Sequence, residues 1–336
     1  MREPVQVSLR TMAHVRWGIV GCGDVTEVKS GPGFQKARGS ALIAVMRRDR
    51  AKAEDYARRH GVPRVHATAE DLIGDPDVDA VYIATPPGSH EPLALLAAAA
   101  RKPCLVEKPM ARTHGECVRM VEAFRAVGVP LWVAYYRRAL PRFLKVRDLL
   151  SAGAIGRVTS VHIQITERLA TGDAAASWRL NPVDAGAGLF FDLGSHCLDL
   201  VDFLVGPIAD ARGFALNTGG AYDAEDVTSA SFRAGADVAG TGIWNFNADA
   251  KTDVITFTGS SGTLVTPVFT DGDVLVSRDG ATETFSLRNP PHVHQPLIQT
   301  IVDELGGLGR CESTGASGAR ASWVMDRCID GYYARG

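Results

Sequence analysis

The sequence VEKPM places two opposite charges, Glu107 and Lys108, directly after the apolar run of residues 104–106 and before Pro109. In a parallel sheet, ligands bind beyond the carboxyl ends of the strands, so these charges are predicted to face a ligand cleft. The proline lets the preceding peptide bond be cis at modest cost, which would turn the lysine inward and hold it. An ammonium group held there can stabilise the negative charge that develops on a reacting oxygen. An exposed ion pair at a strand end is the alternative.

A second candidate group lies in the stretch GAGLFFDLGSHCLDLVDFLVGP. A helix is predicted to begin near Asp192 and to end before the Gly-Pro pair at 206–207. Asp192, His196 and Asp199 then share one stripe of its surface. A carboxylate one turn before an imidazole can accept its ring proton and support the imidazolium, which suits a proton donor. A buried structural histidine and a metal site are the alternatives, although no further histidine lies nearby to complete a metal site.

The glycine-rich stretch WGIVGCGDVT resembles a loop that binds the phosphates of a dinucleotide. Such a loop needs a tight turn at Gly21 and a bare backbone at Gly23, so that a pyrophosphate can rest on the N-terminus of the next helix. Thr26 stands where the pattern has its last glycine or another small residue. The predicted nucleotide contacts of this loop are Gly18, Gly21, Gly23, Asp24, Val25 and Thr26.

The end of the second predicted strand, in AVMRRDRAKA, indicates the choice of nucleotide. An NAD-binding domain usually has an acidic residue there, which accepts hydrogen bonds from the ribose hydroxyls. Arg47 occupies that place, and Arg48 follows it. A guanidinium offers a charge-assisted fork to a 2′-phosphate, which a carboxylate would repel. The predicted cofactor is therefore NADP rather than NAD; a solvated basic turn at a helix start is the alternative.

The loop ATPPGSHEP, which follows the apolar run DAVYIA, is stiffened by two prolines. Thr85, Pro86 and His90 are predicted to lie beside the flat nicotinamide ring. Glu107 and Lys108 follow the next parallel strand, and ligands of such a sheet bind outside its carboxyl edge. They are therefore predicted to contact the cofactor as well.

Short apolar runs alternate with helical patterns between Val15 and about Ala134. This alternation predicts an α/β fold whose first domain, residues 1–134, is a doubly wound parallel sheet of the Rossmann type that binds NADP. Beyond residue 135 the runs alternate polar and apolar residues, as in DVTSASF and DVITFTG. They predict a C-terminal α+β domain, residues 135–336, with a large, mostly antiparallel sheet that serves substrate binding and oligomerisation.

The composition limits the classes of protein that the chain can represent. Its 336 residues exceed the usual size of a single core, so two domains are expected. Hydrophobic residues at 46%, charged residues at 22% and a net charge of -2 give no electrostatic footprint for nucleic acid or an anionic membrane. The longest apolar stretch, PLALLAAAA, is far shorter than the ~20 residues that span a bilayer. A small-molecule partner is therefore predicted.

The six cysteines are scattered, without a C-x-x-C pair or a spacing typical of zinc sites. Reduced core thiols, and hence a cytoplasmic protein, are the predicted outcome. The first residues, MREPVQVSLRTMAHV, have neither the apolar segment nor the cleavage pattern of a secretory signal. Met12 is a candidate for the natural start.

The motifs GIVGCGDVT, ATPPGSH, EKP and GAGLFFDLGSHCLD occur together in this order, and the chain from Val15 onward resembles the Gfo/Idh/MocA family of oxidoreductases. The resemblance implies that Lys108 is the active-site lysine. It also implies that Asp192 and His196 are the family's aspartate and catalytic histidine. The segment at Trp178-Arg179 looks like the one that reaches the substrate. Two small departures, Ala187 within a glycine triplet and Thr26, leave this chemistry intact.

The predicted activity is hydride transfer between NADP and the hydroxyl-bearing or carbonyl carbon of a sugar, cyclitol or related polyol. A cofactor-binding sensor on the same fold and a glycosidase that oxidises its sugar transiently are the alternatives. The predicted catalytic residues are Lys108, Asp192 and His196, and no metal is expected. The predicted substrate contacts are Lys108, Tyr136, Arg179, Asp192 and His196. An open antiparallel sheet rarely stays solvated, so a homodimer or homotetramer is expected.

Overall fold

The computed structural model describes residues 11–333 of the chain. The predictions about the first ten residues therefore fall outside the described residues. Within them, one compact unit consists of residues 11–111, 115–139 and 290–319. The other consists of residues 112–114, 140–289 and 320–333. The division predicted from the sequence was a single cut after residue 134, whereas segment 290–319 groups with the first unit.

The strands are numbered in chain order. They are β1 Val15–Val20, β2 Ser40–Met46, β3 Arg64–His66, β4 Ala80–Ile83, β5 Cys104–Val106, β6 Leu131–Val133, β7 Val158–Thr166, β8 Ile208–Leu216, β9 Val227–Ala234, β10 Val238–Asn245, β11 Thr252–Gly259, β12 Thr263–Thr266, β13 Val274–Arg278 and β14 Ala281–Phe285.

The α-helices are numbered in the same way. They are α1 Asp24–Val28, α2 Gly31–Lys36, α3 Arg50–His60, α4 Ala69–Gly74, α5 His90–Ala99, α6 His114–Val127, α7 Pro141–Ser151, α8 Pro182–Ala185, α9 Ser195–Leu204, α10 Gln295–Leu305 and α11 Gly315–Tyr333. None of the helices in the described part of the chain combines the length and the apolar character needed to cross a membrane.

The sheet of the first unit has six parallel strands in the order β3-β2-β1-β4-β5-β6. This is the strand order of a dinucleotide-binding fold, so the predicted Rossmann domain is confirmed. Strand β3 was not predicted from the sequence, because its three residues, Arg64, Val65 and His66, do not form an apolar run. Trp17, Phe34 and Tyr82 pack ring against ring at 4.8 and 5.0 Å in the core beside the sheet.

Segment 290–319 joins the first unit because it covers the sheet edge at β6. Val133 donates its backbone N–H to Ser313 (3.0 Å), and the Ser313 hydroxyl donates to the Val133 carbonyl (2.6 Å). Trp132 Nε1 donates to Glu304 at 3.2 Å. An edge strand exposes unpaired main-chain groups, and these contacts satisfy some of them. Long-range pairing of this kind leaves no local mark in the sequence.

The second unit contains an eight-stranded sheet in the order β14-β13-β12-β11-β7-β10-β9-β8. Its neighbours are antiparallel except for the parallel pair of β7 and β10. The predicted mostly antiparallel sheet is thus confirmed. Its strands alternate in burial, with Val161, Ile163 and Ile165 of β7 facing the core. The other face carries exposed apolar side chains, including Phe214 at 78% and Leu216 at 54% exposure.

Candidate active site

Three of the predicted ligand loops follow strands that are direct neighbours. Strands β1, β4 and β5 lie side by side and run parallel. Their carboxyl ends therefore bring the glycine loop, the Thr85 loop and the Glu107-Lys108 pair to one edge of the sheet. This is the edge at which doubly wound sheets bind their ligands.

The glycine loop has the geometry that an anionic group needs. Gly21 has φ +92°, a left-handed conformation that favours glycine, and its N–H donates to the Met46 carbonyl at 2.8 Å. A Cβ at Gly23 would meet only the Gly21 carbonyl oxygen, 3.9 Å away, so the space in front of Gly23 is open. No side chain caps the N-terminus of α1 at Gly23. The loop thus fits the pyrophosphate of a dinucleotide.

Thr26 supports this loop from the inside. Its buried hydroxyl donates to the Gly23 carbonyl at 2.7 Å, and its own carbonyl accepts the Tyr56 hydroxyl at 3.0 Å. The prediction that Gly18 contacts the nucleotide needs correction. Gly18 is buried within β1, where a Cβ would lie 2.6 Å from Leu72 Cδ2 of α4. Gly18 thus serves the close packing of Leu72 on the strand.

Arg47 lies beside the glycine loop. Its Nη1 donates to the Cys22 carbonyl at 3.2 Å, while Arg48 is exposed. The nearest following carboxylate, Asp49, is engaged at the N-terminus of α3, where it accepts the Lys52 N–H at 3.1 Å. This backbone hydrogen bond lowers the pKa of Asp49. The position next to the loop therefore carries a guanidinium, and the adjacent acid serves as a helix cap.

The predicted contact of His90 with the nicotinamide ring needs correction. The ring is fully buried, and its Nε2 lies 2.7 Å from the Thr85 carbonyl. Its Nδ1 lies 3.1 Å from the Pro109 carbonyl and 3.2 Å from that of Met110. Burial lowers the pKa of the ring. His90 thus ties the loop after β4 to the loop after β5 and does not face a ligand, whereas Thr85 and Pro86 remain partly accessible.

The VEKPM segment combines a buried carboxylate with a partly accessible lysine. The Lys108–Pro109 bond is cis. Glu107 is buried and accepts the Tyr82 hydroxyl and the Lys108 N–H, the latter at 3.2 Å. An exposed ion pair is thereby excluded. The predicted contact of Glu107 with the cofactor is also corrected, because its carboxylate is held in the interior of the first unit.

The partner of Glu107 comes from the far end of the chain. His294 Nε2, just before α10, lies 3.3 Å from Glu107 Oε1, and the His294 ring packs edge-on against Tyr136 at 4.3 Å. Burial alone raises the pKa of Glu107, but the His294 ring and the Tyr82 hydroxyl outweigh it and lower the pKa to about 2. The carboxylate is thus ionised at neutral pH. Nothing local in the sequence indicates this pairing, because the two residues lie in distant segments of the chain.

The second unit holds the aspartate and histidine predicted as catalytic. Asp192 lies on a π-helix, Phe190–Gly194, and His196 lies in the first turn of α9. The predicted single α-helix from Asp192 is thus corrected to a π-turn followed by an α-helix. Wider π-turns occur mostly as single insertions and frequently at functional sites. Glycine is required at 194 because a Cβ there would lie 2.5 Å from the Phe190 ring.

Arg179 and Asp192, two of the predicted substrate contacts, meet in the second unit. Arg179 Nε lies 3.6 Å from Asp192 Oδ2, and the guanidinium stacks over the Trp178 ring at 4.7 Å. His196 is buried, with its ring 6.0 Å from that of Phe269. Tyr136, the remaining predicted contact, lies in the 3-10 turn after β6 of the first unit and is almost fully buried. Within residues 11–333, no group of three His, Cys, Asp or Glu residues is arranged to hold a metal ion.

Two family models match most of the chain. The model described as "Oxidoreductase family, NAD-binding Rossmann fold" matches residues 15–135, and the "GFO/IDH/MocA C-terminal domain" matches residues 143–265. Oxidoreductase P35 of Formosa agariphila is 39% identical over 86% of this chain and 90% of its own length. The chain belongs to the Gfo/Idh/MocA family. It is accordingly an oxidoreductase with an NAD(P)-binding domain.

Other members of the family are more distant. The inositol 2-dehydrogenase of Acidothermus cellulolyticus is 36% identical over 54% of this chain and 55% of its own length. Among solved structures, a levoglucosan dehydrogenase in complex with NADH and levoglucosan superposes with a TM-score of 0.84. It is 22% identical, with 94% of this chain and 96% of that chain covered. At this level of identity the structural likeness establishes the fold alone.

Proposed function

We propose that this enzyme transfers a hydride between NADP and a hydroxyl-bearing or carbonyl carbon of a sugar, cyclitol or related polyol. The observation that carries the proposal is the convergence of an open glycine loop, an adjacent Arg47 and Lys108 at one edge of the parallel sheet. Screening NADP⁺ reduction across a panel of sugars and polyols tests it. Absence of turnover with every member, together with binding of NADP⁺, would favour a cofactor-binding sensor.

The protein's own groups would manage charge and one proton, while the bound nicotinamide supplies the hydride chemistry. Lys108 would polarise the reacting oxygen and stabilise a developing alkoxide. His196 would exchange the proton of that oxygen. Asp192 would orient the lysine and histidine, and its pairing with Arg179 at 3.6 Å supports a fixed carboxylate. These roles rest on the family resemblance together with the geometry inside each unit.

The substrate class is supported by what the relatives are named for. They include inositol 2-dehydrogenase, levoglucosan dehydrogenase and an aldose-aldose oxidoreductase from Caulobacter crescentus. Inositol, levoglucosan and aldoses are compact molecules that carry several hydroxyl groups. Arg179 stacked on Trp178 offers hydrogen-bond donors beside a flat apolar face. Such a pair suits the polar edge and apolar face of a sugar ring.

Arg47 makes NADP(H) the preferred cofactor in this proposal. We expect NADP(H) to bind more tightly than NAD(H), because a charge-assisted contact to phosphate contributes roughly 1.5 to 3 kcal/mol, about ten- to a hundredfold in affinity. Arg47→Asp should abolish or reverse the preference by replacing attraction with repulsion. Fluorescence titration of both reduced cofactors measures the ratio, which should also fall as salt is raised.

A charge-matched control is available on α3 of the first unit. Arg58→Asp changes the net charge by the same amount as Arg47→Asp. Arg58 lies near the C-terminal end of α3, is exposed and pairs with Asp55. The control should leave the ratio of the two affinities unchanged. Tighter binding of NAD(H) to the unmodified protein would show that the Arg47 interpretation is wrong.

The open face of the second sheet is proposed to be covered by a second copy of the chain in a homodimer or homotetramer. Phe214 and Leu216 are exposed on β8, and the outward positions of β9 and β10 include Ser231, Ala239 and Thr241. The same face also carries the exposed Arg212 of β8 and Arg233 of β9. A two-fold axis brings the same patch of each copy together, so the apolar pair on β8 can meet its counterpart in the second copy.

Phe214→Glu should therefore lower the molecular mass in light scattering towards that of the monomer, since it places a charge within the apolar patch. Leu308→Glu is the control, because Leu308 is 82% exposed and lies on the first unit. It should leave the mass unchanged. A monomeric unmodified protein, or an unchanged mass in the Phe214 variant, would contradict the proposed interface.

The cysteines support a cytoplasmic location in the same proposal. All six are buried free thiols. Burial raises the pKa of Cys22 and of Cys328, to about 11 and about 12 respectively. Thiols of this kind remain protonated at neutral pH and react slowly with oxidants. They are typical of proteins that function in a reducing compartment.

A further inference from the structure

A buried carboxylate of the second unit contacts the loop that leads to Asp192. Glu225 lies between β8 and β9 and is 1% exposed. Its two oxygens lie 3.0 and 2.9 Å from the backbone nitrogen of Gly188, which donates to them. The Tyr333 hydroxyl near the end of α11 donates to Glu225 Oε2 at 2.5 Å. Burial and the Glu225 charge raise the pKa of Tyr333, so this hydroxyl remains a donor.

Gly188 fits against Glu225 because it has no side chain. A Cβ at this position would lie 2.5 Å from the Glu225 carbonyl oxygen and 3.1 Å from its carboxyl carbon. The Gly188 carbonyl in turn accepts the Phe191 N–H at 3.0 Å. That bond closes the turn that enters the π-helix carrying Asp192. A continuous set of contacts therefore runs from Glu225 through one main-chain turn to the proposed catalytic aspartate.

The far side of the π-helix is also held. Phe190 packs edge-on against Trp244 at 4.8 Å, and Gly194 leaves room for the Phe190 ring. Because π-turns are rare, this one is expected to depend on the contacts around it. Phe190 is thus held by packing on one side of the turn, and the main-chain group at Gly188, which Glu225 binds, is held at its start.

We propose that Glu225 is a positioning residue for the reaction. By holding the Gly188 N–H, it sets the π-turn and thereby the orientation of Asp192 and the first turn of α9 with His196. This inference rests on the proposed function, since it concerns the site that the proposal assigns to proton transfer. It adds a buried residue that belongs to none of the sequence motifs.

The first test is Glu225→Gln, which keeps the size of the side chain but removes its charge and one acceptor oxygen. Turnover should fall by about tenfold to a hundredfold, because small misplacement of catalytic groups has effects of this order. The affinity for NADP(H), measured by fluorescence, should stay within about twofold, because the glycine loop belongs to the other unit. KM should change much less than kcat.

Asp226→Asn is the matched control. Asp226 is adjacent, fully buried, and accepts the N–H groups of Thr218 and Gly219 at 2.8 and 2.6 Å. Its loss therefore affects a different loop. We expect a comparable fall in Tm but near-normal kcat for this variant. Equal losses of kcat in both variants would reduce Glu225 to a general stabilising residue and overturn the inference.

A milder variant guards against a loss of folding in Glu225→Gln. An NMR readout tests the positioning without relying on turnover. Tyr333→Phe removes a hydroxyl that donates to the Glu225 carboxylate and accepts the Glu225 N–H at 3.4 Å, while the Gly188 contact stays, so an intermediate loss of kcat is expected. The NMR signal of the His196 ring, assigned with a His196→Asn variant, should shift in Glu225→Gln and not in Asp226→Asn. If the unmodified protein turns over no sugar or polyol, the proposed function fails, whereas this shift still reports whether Glu225 positions the His196 ring. An unmoved signal with normal kcat in Glu225→Gln would refute the role of Glu225.

Discussion

His196→Asn should lower turnover by roughly 10²-fold or more while leaving NADP(H) affinity nearly unchanged, because general acid-base help is lost and the glycine loop is untouched. Asparagine keeps a polar side chain of similar reach, so the buried position is not left with an apolar gap. The His196 ring lies in the first turn of α9, directly after the π-turn that carries Asp192. Steady-state kinetics over a range of pH measure the effect.

The pH dependence adds a signature that a packing defect would not produce. In the unmodified enzyme the rate should change as the proton-transferring group titrates, and this step should disappear from the profile of the asparagine variant. His162→Asn is a suitable control, because His162 is an exposed histidine of the same unit that contacts Thr241 at 2.9 Å. Near-normal turnover in the His196 variant would remove it from the mechanism.

Lys108→Met should slow hydride transfer by roughly 10²- to 10³-fold, the range expected when one charge-stabilising group is lost from the reacting oxygen. Methionine keeps the length of the side chain and removes its charge. The neighbouring Glu107 is anchored in the interior by Tyr82 and His294, so the backbone at Lys108 should keep its place in the variant. Single-turnover kinetics isolate the chemical step from cofactor release.

The same strand supplies the control for this variant. Lys102 lies just before β5, whereas Lys108 lies just after it. The Lys102 ammonium donates to the Asp75 carbonyl at the opposite edge of the sheet. Lys102→Met should lower stability without changing the rate of hydride transfer. A wild-type single-turnover rate in Lys108→Met would mean that the VEKPM segment serves only the structure.

Much of the cofactor half could be predicted from the sequence because its signals are local. A strand of six residues followed by Gly21 and Gly23 is typical of a phosphate-binding turn, and the observed φ of +92° at Gly21 agrees with such a turn. Apolar runs that alternate with helical patterns predicted the parallel sheet. Polar–apolar alternation predicted the antiparallel sheet, since the period of the side chains follows from which face of a strand is buried. The edge that binds the ligand then follows from the parallel strand direction.

Tertiary structure alone decided which way the polar side chains of these motifs point. His90 and Glu107 belong to the motifs, yet both are buried and bind groups of the protein, because an unpaired polar group in the interior is costly. Their partners are main-chain carbonyls for His90 and a histidine from the end of the chain for Glu107.

The same holds for the contacts of Gly188 with Glu225 and of Gly18 with Leu72, which join segments distant in sequence. A local pattern records the periodicity and the turns of its own segment. It does not record the long-range neighbour that satisfies a buried donor or excludes a Cβ, because that neighbour is chosen only when the chain packs.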